Sequence, residues 1–139
     1  MITLDTSGFL ALINRRDRGH VACLTAMESD RGPYYLPSAL LSEIGWFLEE
    51  RYRHLQSAFL ADLTEGVYTV DWDPIDLGRL STLVEKYGNL PLSIADAIVV
   101  LCAERHGGQV LTLDEHFSIV GRDPDIRVTV RPSRLGAGE

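Results

Sequence analysis

Apolar residues along the chain follow two rhythms: short runs of about four, and longer stretches where they recur every three or four positions. The short runs predict strands at ITLD (2–5), YYLP (34–37), VYTV (67–70), QVLTL (109–113) and IRVTV (126–130), the last at a sheet edge. The longer stretches predict helices. SGFLALINRR (7–16) turns Phe9, Leu10, Leu12 and Ile13 inward, and His20–Ser29 offers Val21, Leu24 and Met27. SALLSEIGWFLEERY (38–52) aligns Leu40, Leu41, Ile44, Phe47 and Leu48, with Gly45 lowering helix propensity without breaking the pattern. HLQSAFLADLTEG (54–66) has Leu55, Phe59, Leu60 and Leu63 inside and ends at Gly66.

In DPIDLGRLSTLVEKYG (73–88), Pro74 suits a first helical turn and Gly88 an end. SIADAIVVLCAERHGG (93–108) is apolar almost all round behind Ser93 as a cap, the profile of a helix buried between neighbours. Asp114–Phe117 forms a turn or short helix, and Gly32-Pro33 and Pro37 punctuate the chain. Strands alternating with helices predict an α/β fold: a parallel sheet covered on both faces, with a reactive crevice beyond the carboxyl ends of its strands. With 139 residues, 45% of them hydrophobic, the material suffices for one core. The expectation is one domain over 1–132 and a flexible tail over 133–139.

Candidate chemistry lies in four acids. Asp5 and Asp114 follow strand candidates, so parallel strands would bring both to one rim. Glu43 flanks the apolar stripe of its helix, where a carboxylate must be solvated, paired or metal-bound. Asp96 falls in the first turn of the most buried helix, whose amide end favours an anion. Each also has a purely structural role open to it: a helix cap for Asp5, a turn for Asp114, an ion pair for Glu43, and a capping box with Ser93 for Asp96. Glu115 is an adjacent substitute for Asp114, and Thr6, Ser7 and Thr112 add hydroxyls beside two of the acids. Carboxylates gathered within a few Å repel one another until a divalent cation resolves the repulsion. An all-oxygen set suits Mg²⁺, with Mn²⁺ accepting the same shell, and one or two ions are compatible with it.

Other features narrow the field. The formal net charge is -7, with twelve arginines and one lysine, Lys86, which disfavours nonspecific adhesion to a polyanion. Clustered catalytic carboxylates contribute to that count, so a nuclease is compatible with it. Arg15, Arg16 and Arg18 are placed to guide RNA or simply to solvate a connection. No stretch of about 18 apolar residues occurs and no basic leader precedes Asp5, so neither a membrane span nor a signal peptide is expected, and the chain reads as cytoplasmic. Cys23 and Cys102 sit in apolar helical patterns and are expected as reduced core cysteines, without a His at metal spacing. His54, His106 and His116 lack the mutual spacing of a convincing zinc or acid-base set, and His20 is expected in a structural or surface role. Neither a phosphate-binding glycine loop nor a complete phospho-aspartate arrangement is present.

With these residues in hand, the chain resembles the PIN-domain family, and within it the VapC-type ribonuclease toxins of bacterial toxin-antitoxin pairs. The resemblance is carried by LDTSGFLALINRRDRGH, LLSEIGWFL, VEKYGNLPLSIADAIVVLCAERHG and VLTLDEHF, which cover most of residues 2–117 in order. It implies a PIN-like (Rossmann-like) sheet and catalytic, metal-binding roles for Asp5, Glu43, Asp96 and Asp114, with Thr112 as the accompanying hydroxyl. It further implies a Mg²⁺-dependent endoribonuclease that forms homodimers and is inhibited by a cognate antitoxin. Trp46, Phe47, Tyr52 and Phe59 are candidates for the antitoxin surface. The alternative is a noncatalytic PIN-like module that binds RNA or protein.

Overall fold

Five short parallel strands form the centre of the computed structural model, which describes residues 1–90 and 92–132. They are β1 (Ile2–Leu4), β2 (Tyr34–Pro37), β3 (Thr69–Asp71), β4 (Gln109–Leu111) and β5 (Thr129–Arg131). Their order across the sheet is β3-β2-β1-β4-β5, and every neighbouring pair is parallel. Between them run α1 (Thr6–Ile13), α2 (His20–Glu28), α3 (Leu40–Arg51), α4 (Gln56–Glu65), α5 (Leu77–Lys86), α6 (Ile94–Arg105) and α7 (His116–Val120), with a 3₁₀ turn at Arg53–Leu55 leading into α4. The tail expected over 133–139 lies outside the described residues.

The sheet is parallel and flanked by helices because its strands have no face to give to water. All three residues of β1 are buried, so β1 must be covered on both sides. α6 packs along β1, β2 and β4 with α5 against it, while α1 packs on α2 and α3. Ala97, Val99, Val100, Leu101, Cys102 and Ala103 are all buried, as the all-round apolar pattern of α6 requires. On α1, Phe9 meets Phe59 and Tyr68 at ring-centroid distances of 5.0 and 5.8 Å.

Three inward assignments change. Val21 and Leu24 are 73% and 38% exposed, and α2 instead buries Cys23 and Ala26. α2 lies against α1 and β4, where small side chains permit close approach. Leu60 is 61% exposed because Phe59, one position earlier, takes the core-facing site. Pro74 lies outside α5, which starts at Leu77 with the Asp76 side chain accepting from the backbone N–H of Arg79. The predicted ends of α4 and α6 hold: Gly66 adopts φ 80° at the close of α4, and Ser93 caps α6.

The chain adds β2 and β3 to one side of β1, then returns to place β4 and β5 on the other. This reversal leaves a crevice beyond the carboxyl ends of β1 and β4. The seam there is tight: the Asp5 N–H donates to the Leu111 carbonyl oxygen at 3.0 Å, and a Cβ on Gly8 would meet that oxygen at 2.3 Å. Gly8→Ala is therefore expected to destabilise the fold by about 1–3 kcal/mol. Gly45, inside α3 with nothing within 4 Å of an added Cβ, is the control: its alanine variant should gain about 0.5–1 kcal/mol. Urea unfolding midpoints of the two variants check both signs.

Candidate active site

The end of β1 delivers Asp5 to the crevice floor, only 6% exposed. The Thr112 hydroxyl, just past β4, donates to Asp5 Oδ2 at 2.8 Å, and the Ser7 hydroxyl donates to the same oxygen at 2.9 Å. Each hydroxyl has one proton, so the 3.0 Å contact between Ser7 Oγ and Thr112 Oγ1 adds no further hydrogen bond while both serve Asp5. Backbone N–H groups of Leu113 and Asp114 donate to Ser7 Oγ and Thr112 Oγ1, each at 3.0 Å. The loop after β4 is thus tied to the start of α1.

Asp96 enters the same rim from the first turn of α6. Its N–H donates to Ser93 Oγ at 3.0 Å and its Oδ2 accepts from the Ser93 N–H at 3.2 Å, so the expected capping box is present. The capping role does not remove Asp96 from the site. A carboxylate oxygen of Asp96, one of Asp114 and a ring nitrogen of His116 lie within 4.8 Å of one another. The His116 N–H also donates to Asp114 Oδ1 at 2.9 Å.

The electrostatics of this group are unbalanced. Burial is the largest influence on Asp5 and, together with the nearby negative charge of Asp96, outweighs the hydroxyl hydrogen bonds and pushes its pKa up from 3.8 to about 6. Among the described residues no Lys or Arg forms an ion pair with Asp5, Asp96 or Asp114. Close beside them, the Thr6 hydroxyl oxygen is buried without a hydrogen-bond partner. Carboxylate oxygens without a cation, one of them held reluctantly ionised, fit a hard divalent ion such as Mg²⁺ or Mn²⁺.

The sequence matches the PIN domain family over residues 2–123. The chain belongs to the PIN-domain family. Among solved structures, Mycobacterium tuberculosis VapC20, described as a sarcin-ricin loop cleaving toxin, superposes with a TM-score of 0.74 at 22% identity, covering 87% of this chain and 95% of that one. No curated protein sequence matches the chain.

Within this PIN domain, Asp5 is hydrogen-bonded to Thr112 and feels the charge of Asp96, while Asp96 and Asp114 lie within ligand distance of His116. Glu43 is exposed in the first turn of α3, which follows the carboxyl end of β2, and like Asp5 it lies outside that ligand-distance group. Arg15, Arg16 and Arg18 are exposed beyond the far end of α1, roughly 12 Å of helix from Asp5. Arg15 and Arg16 instead line a depression of about 500 Å³ with Arg51, Tyr52 and His54. His20 has a structural task, donating from Nδ1 to the Ala11 carbonyl oxygen at 2.8 Å. Phe59 belongs to the core, whereas Trp46 is 57% exposed.

Two histidines were underestimated in the sequence. His116 reaches the acids because α7 starts two residues after Asp114, a turn geometry that DEHF could suggest without fixing. The expectation that Cys102 lacks a histidine at metal spacing is overturned. His106 follows it by one helical turn, and with Asp71 their ligand atoms lie within 4.8 Å of one another.

Asp5 gives this site a pH signature. The unfolded chain releases this proton near 3.8 and the folded protein retains it to about 6. Between those values the folded state binds more protons, so the contribution of Asp5 to stability is greatest at low pH and is lost as pH rises through the window. In EDTA, wild-type stability relative to Asp5→Asn should fall by about 2–3 kcal/mol from pH 4 to pH 6. Urea titrations at the two pH values measure it, and an unchanged difference would contradict the assignment.

Proposed function

We propose that this PIN domain is a metal-dependent endoribonuclease toxin that hydrolyses RNA phosphodiester bonds and is restrained by a cognate antitoxin. The observation that carries this reading is the approach of Asp5, Asp96 and Asp114, with no Lys or Arg paired to them among the described residues, at the topological switch point of a parallel sheet. Asp5, Asp96 and Asp114 are the proposed metal ligands. Glu43, from the neighbouring helix start, would complete the acidic set on rotation of its exposed side chain. A bound Mg²⁺ or Mn²⁺ supplies charge neutralisation at the scissile phosphate and acidifies the attacking water.

The chain's own part is positional. Thr112 and Ser7 hold Asp5 Oδ2 in place, and the Thr6 backbone adds a further hydrogen bond to the carboxylate. The capping box fixes the Asp96 carboxylate against the amide end of α6, where negative charge is favoured. The Asp114 N–H bond to Thr112 couples the final acid to the same hydroxyl that orients Asp5. VapC20 cleaves the sarcin-ricin loop, which supports RNA as the substrate class to test first.

An apolar groove of about 340 Å³ between α1, α3 and α4 supports a protein partner. Leu12, Ile13, Leu48, Leu55, Ala58 and Phe59 line it. An amphipathic antitoxin helix would lay its apolar face there. The reading also takes the protein as a homodimer acting in the cytoplasm.

Cleavage of total RNA and of a sarcin-ricin loop oligonucleotide should require Mg²⁺ or Mn²⁺, stop in EDTA, and be abolished in Asp5→Asn and Asp96→Asn. Thr112→Val should lower the rate by about 10–100-fold, as expected for a residue that orients a ligand. Cleavage that survives both aspartate substitutions, or calorimetry detecting no Mg²⁺ or Mn²⁺ binding, would replace this reading with the noncatalytic module. Ala58→Arg should block antitoxin inhibition while leaving RNA cleavage by the free protein intact, and inhibition assays on that variant test the groove.

A further inference from the structure

Asp71, Cys102 and His106 form a second cluster of metal-ligand side chains, chemically distinct from the acidic pocket. Cys102 projects from the last turn of α6, His106 is the capping residue just past its end, and Asp71 ends edge strand β3. Cys102 is fully buried, while the Asp71 and His106 side chains are only 3% and 18% exposed. His106 lies ten positions beyond Asp96, roughly 15 Å along the helix axis.

Two observations point to a ligand. His106 Nε2 is buried and makes no hydrogen bond, although it lies 3.5 Å from Asp71 Oδ2. The imidazole is also held in orientation by the Tyr35 ring, stacked at a centroid distance of 3.7 Å and an interplanar angle of 13°. The His106 ring nitrogen thus faces the Asp71 carboxylate without a hydrogen bond, and the Cys102 thiol sits against the same carboxylate. We propose that Asp71, Cys102 and His106 form a binding site for a zinc-class divalent cation, linking edge strand β3 to α6.

The donor set determines the class of ion. One sulfur, one imidazole nitrogen and one carboxylate oxygen select a borderline-soft metal over Mg²⁺. Tetrahedral zinc would need donor atoms about 3.3–3.8 Å apart, against a present spread within 4.8 Å. The required closure is about 1 Å, within reach of side-chain torsions. The Cys102 S–H bond breaks on binding, its proton leaves to water, and a metal–sulfur bond forms without change of oxidation state.

Arg105 shares the Asp71 carboxylate. Its guanidinium donates to Asp71, and its Nε lies 3.8 Å from Asp73 Oδ2. With a side chain 33% exposed, Arg105 can turn toward the exposed Asp73 carboxylate as the cation takes over neutralisation of Asp71. This leaves a coordination position for water. The inference does not depend on RNA cleavage.

The test uses the full chain in excess Mg²⁺, so that the acidic pocket is supplied with a hard cation. Titration with Co²⁺, a spectroscopic substitute for zinc, should produce thiolate-to-cobalt charge-transfer absorption that saturates at one equivalent and is displaced by Zn²⁺. Cys102→Ser should abolish the band, Cys23→Ala should keep it, and His106→Gln should weaken cobalt binding by about tenfold or more. Asp96→Asn should leave it unchanged. Because Cys102 is buried, circular dichroism must show each variant folded; His106→Gln, at the helix end, carries the test if Cys102→Ser does not fold. The proposal is overturned by absence of the band in folded wild-type protein, by undiminished binding in folded His106→Gln, or by loss of the band in folded Asp96→Asn.

Discussion

Burying Asp5 without a cationic partner is the constraint on which the rest of the crevice depends. An isolated carboxylate in an apolar core costs several kcal/mol, and here only hydroxyl and backbone donors offset it. Those donors come from Ser7 on α1 and Thr112 after β4, so β1 and β4 must be adjacent and parallel. Other buried or half-buried acids of this protein are treated differently. Asp71 has Arg105, Asp123 has Lys86 and Asp30 has the chain's amino terminus. Among the described residues, no Lys or Arg forms such a pair with the acids at the crevice.

Most of the architecture was legible because periodicity is a strong signal for long elements. α6 could be read from its all-round apolar surface and Ser93, and the parallel sheet from the alternation of runs. The inner faces of α2 and α4 were less legible, since hydropathy marks which residues prefer burial without showing how closely two backbones approach. Cys23 and Ala26 are buried in α2 because small side chains allow contact, while the larger Val21 and Leu24 remain outside.

The candidate site divides in the same way. Asp5 and Asp114 could be placed by the rule that parallel strand ends share a rim, and Asp96 by its position in the first turn of a buried helix. Glu43 could be assigned to a helix border but not to a side-chain direction, and it stands outside the cluster. His116 and the Asp71–Cys102–His106 group depend on tertiary approach. Only the Cys102-to-His106 interval was present in the linear sequence, and without Asp71 it resembled ordinary core composition.

α6 connects these two chemistries. Its first turn carries the Asp96 carboxylate, and its end carries the Cys102 thiol with the His106 imidazole on the capping residue. The bonds from Thr112 and Ser7 to Asp5 carry a consequence for biosynthesis. The Thr112 partner is 107 positions from Asp5, so the seam cannot close until Thr112 itself has been made. Closing so long a loop is entropically unfavourable until the intervening helices have packed. An amino-terminal fragment ending before β4 would contain Asp5 and Asp96 yet lack the hydroxyl of Thr112 and the carboxylate of Asp114, so the nascent chain acquires the crevice only after β4 has been made.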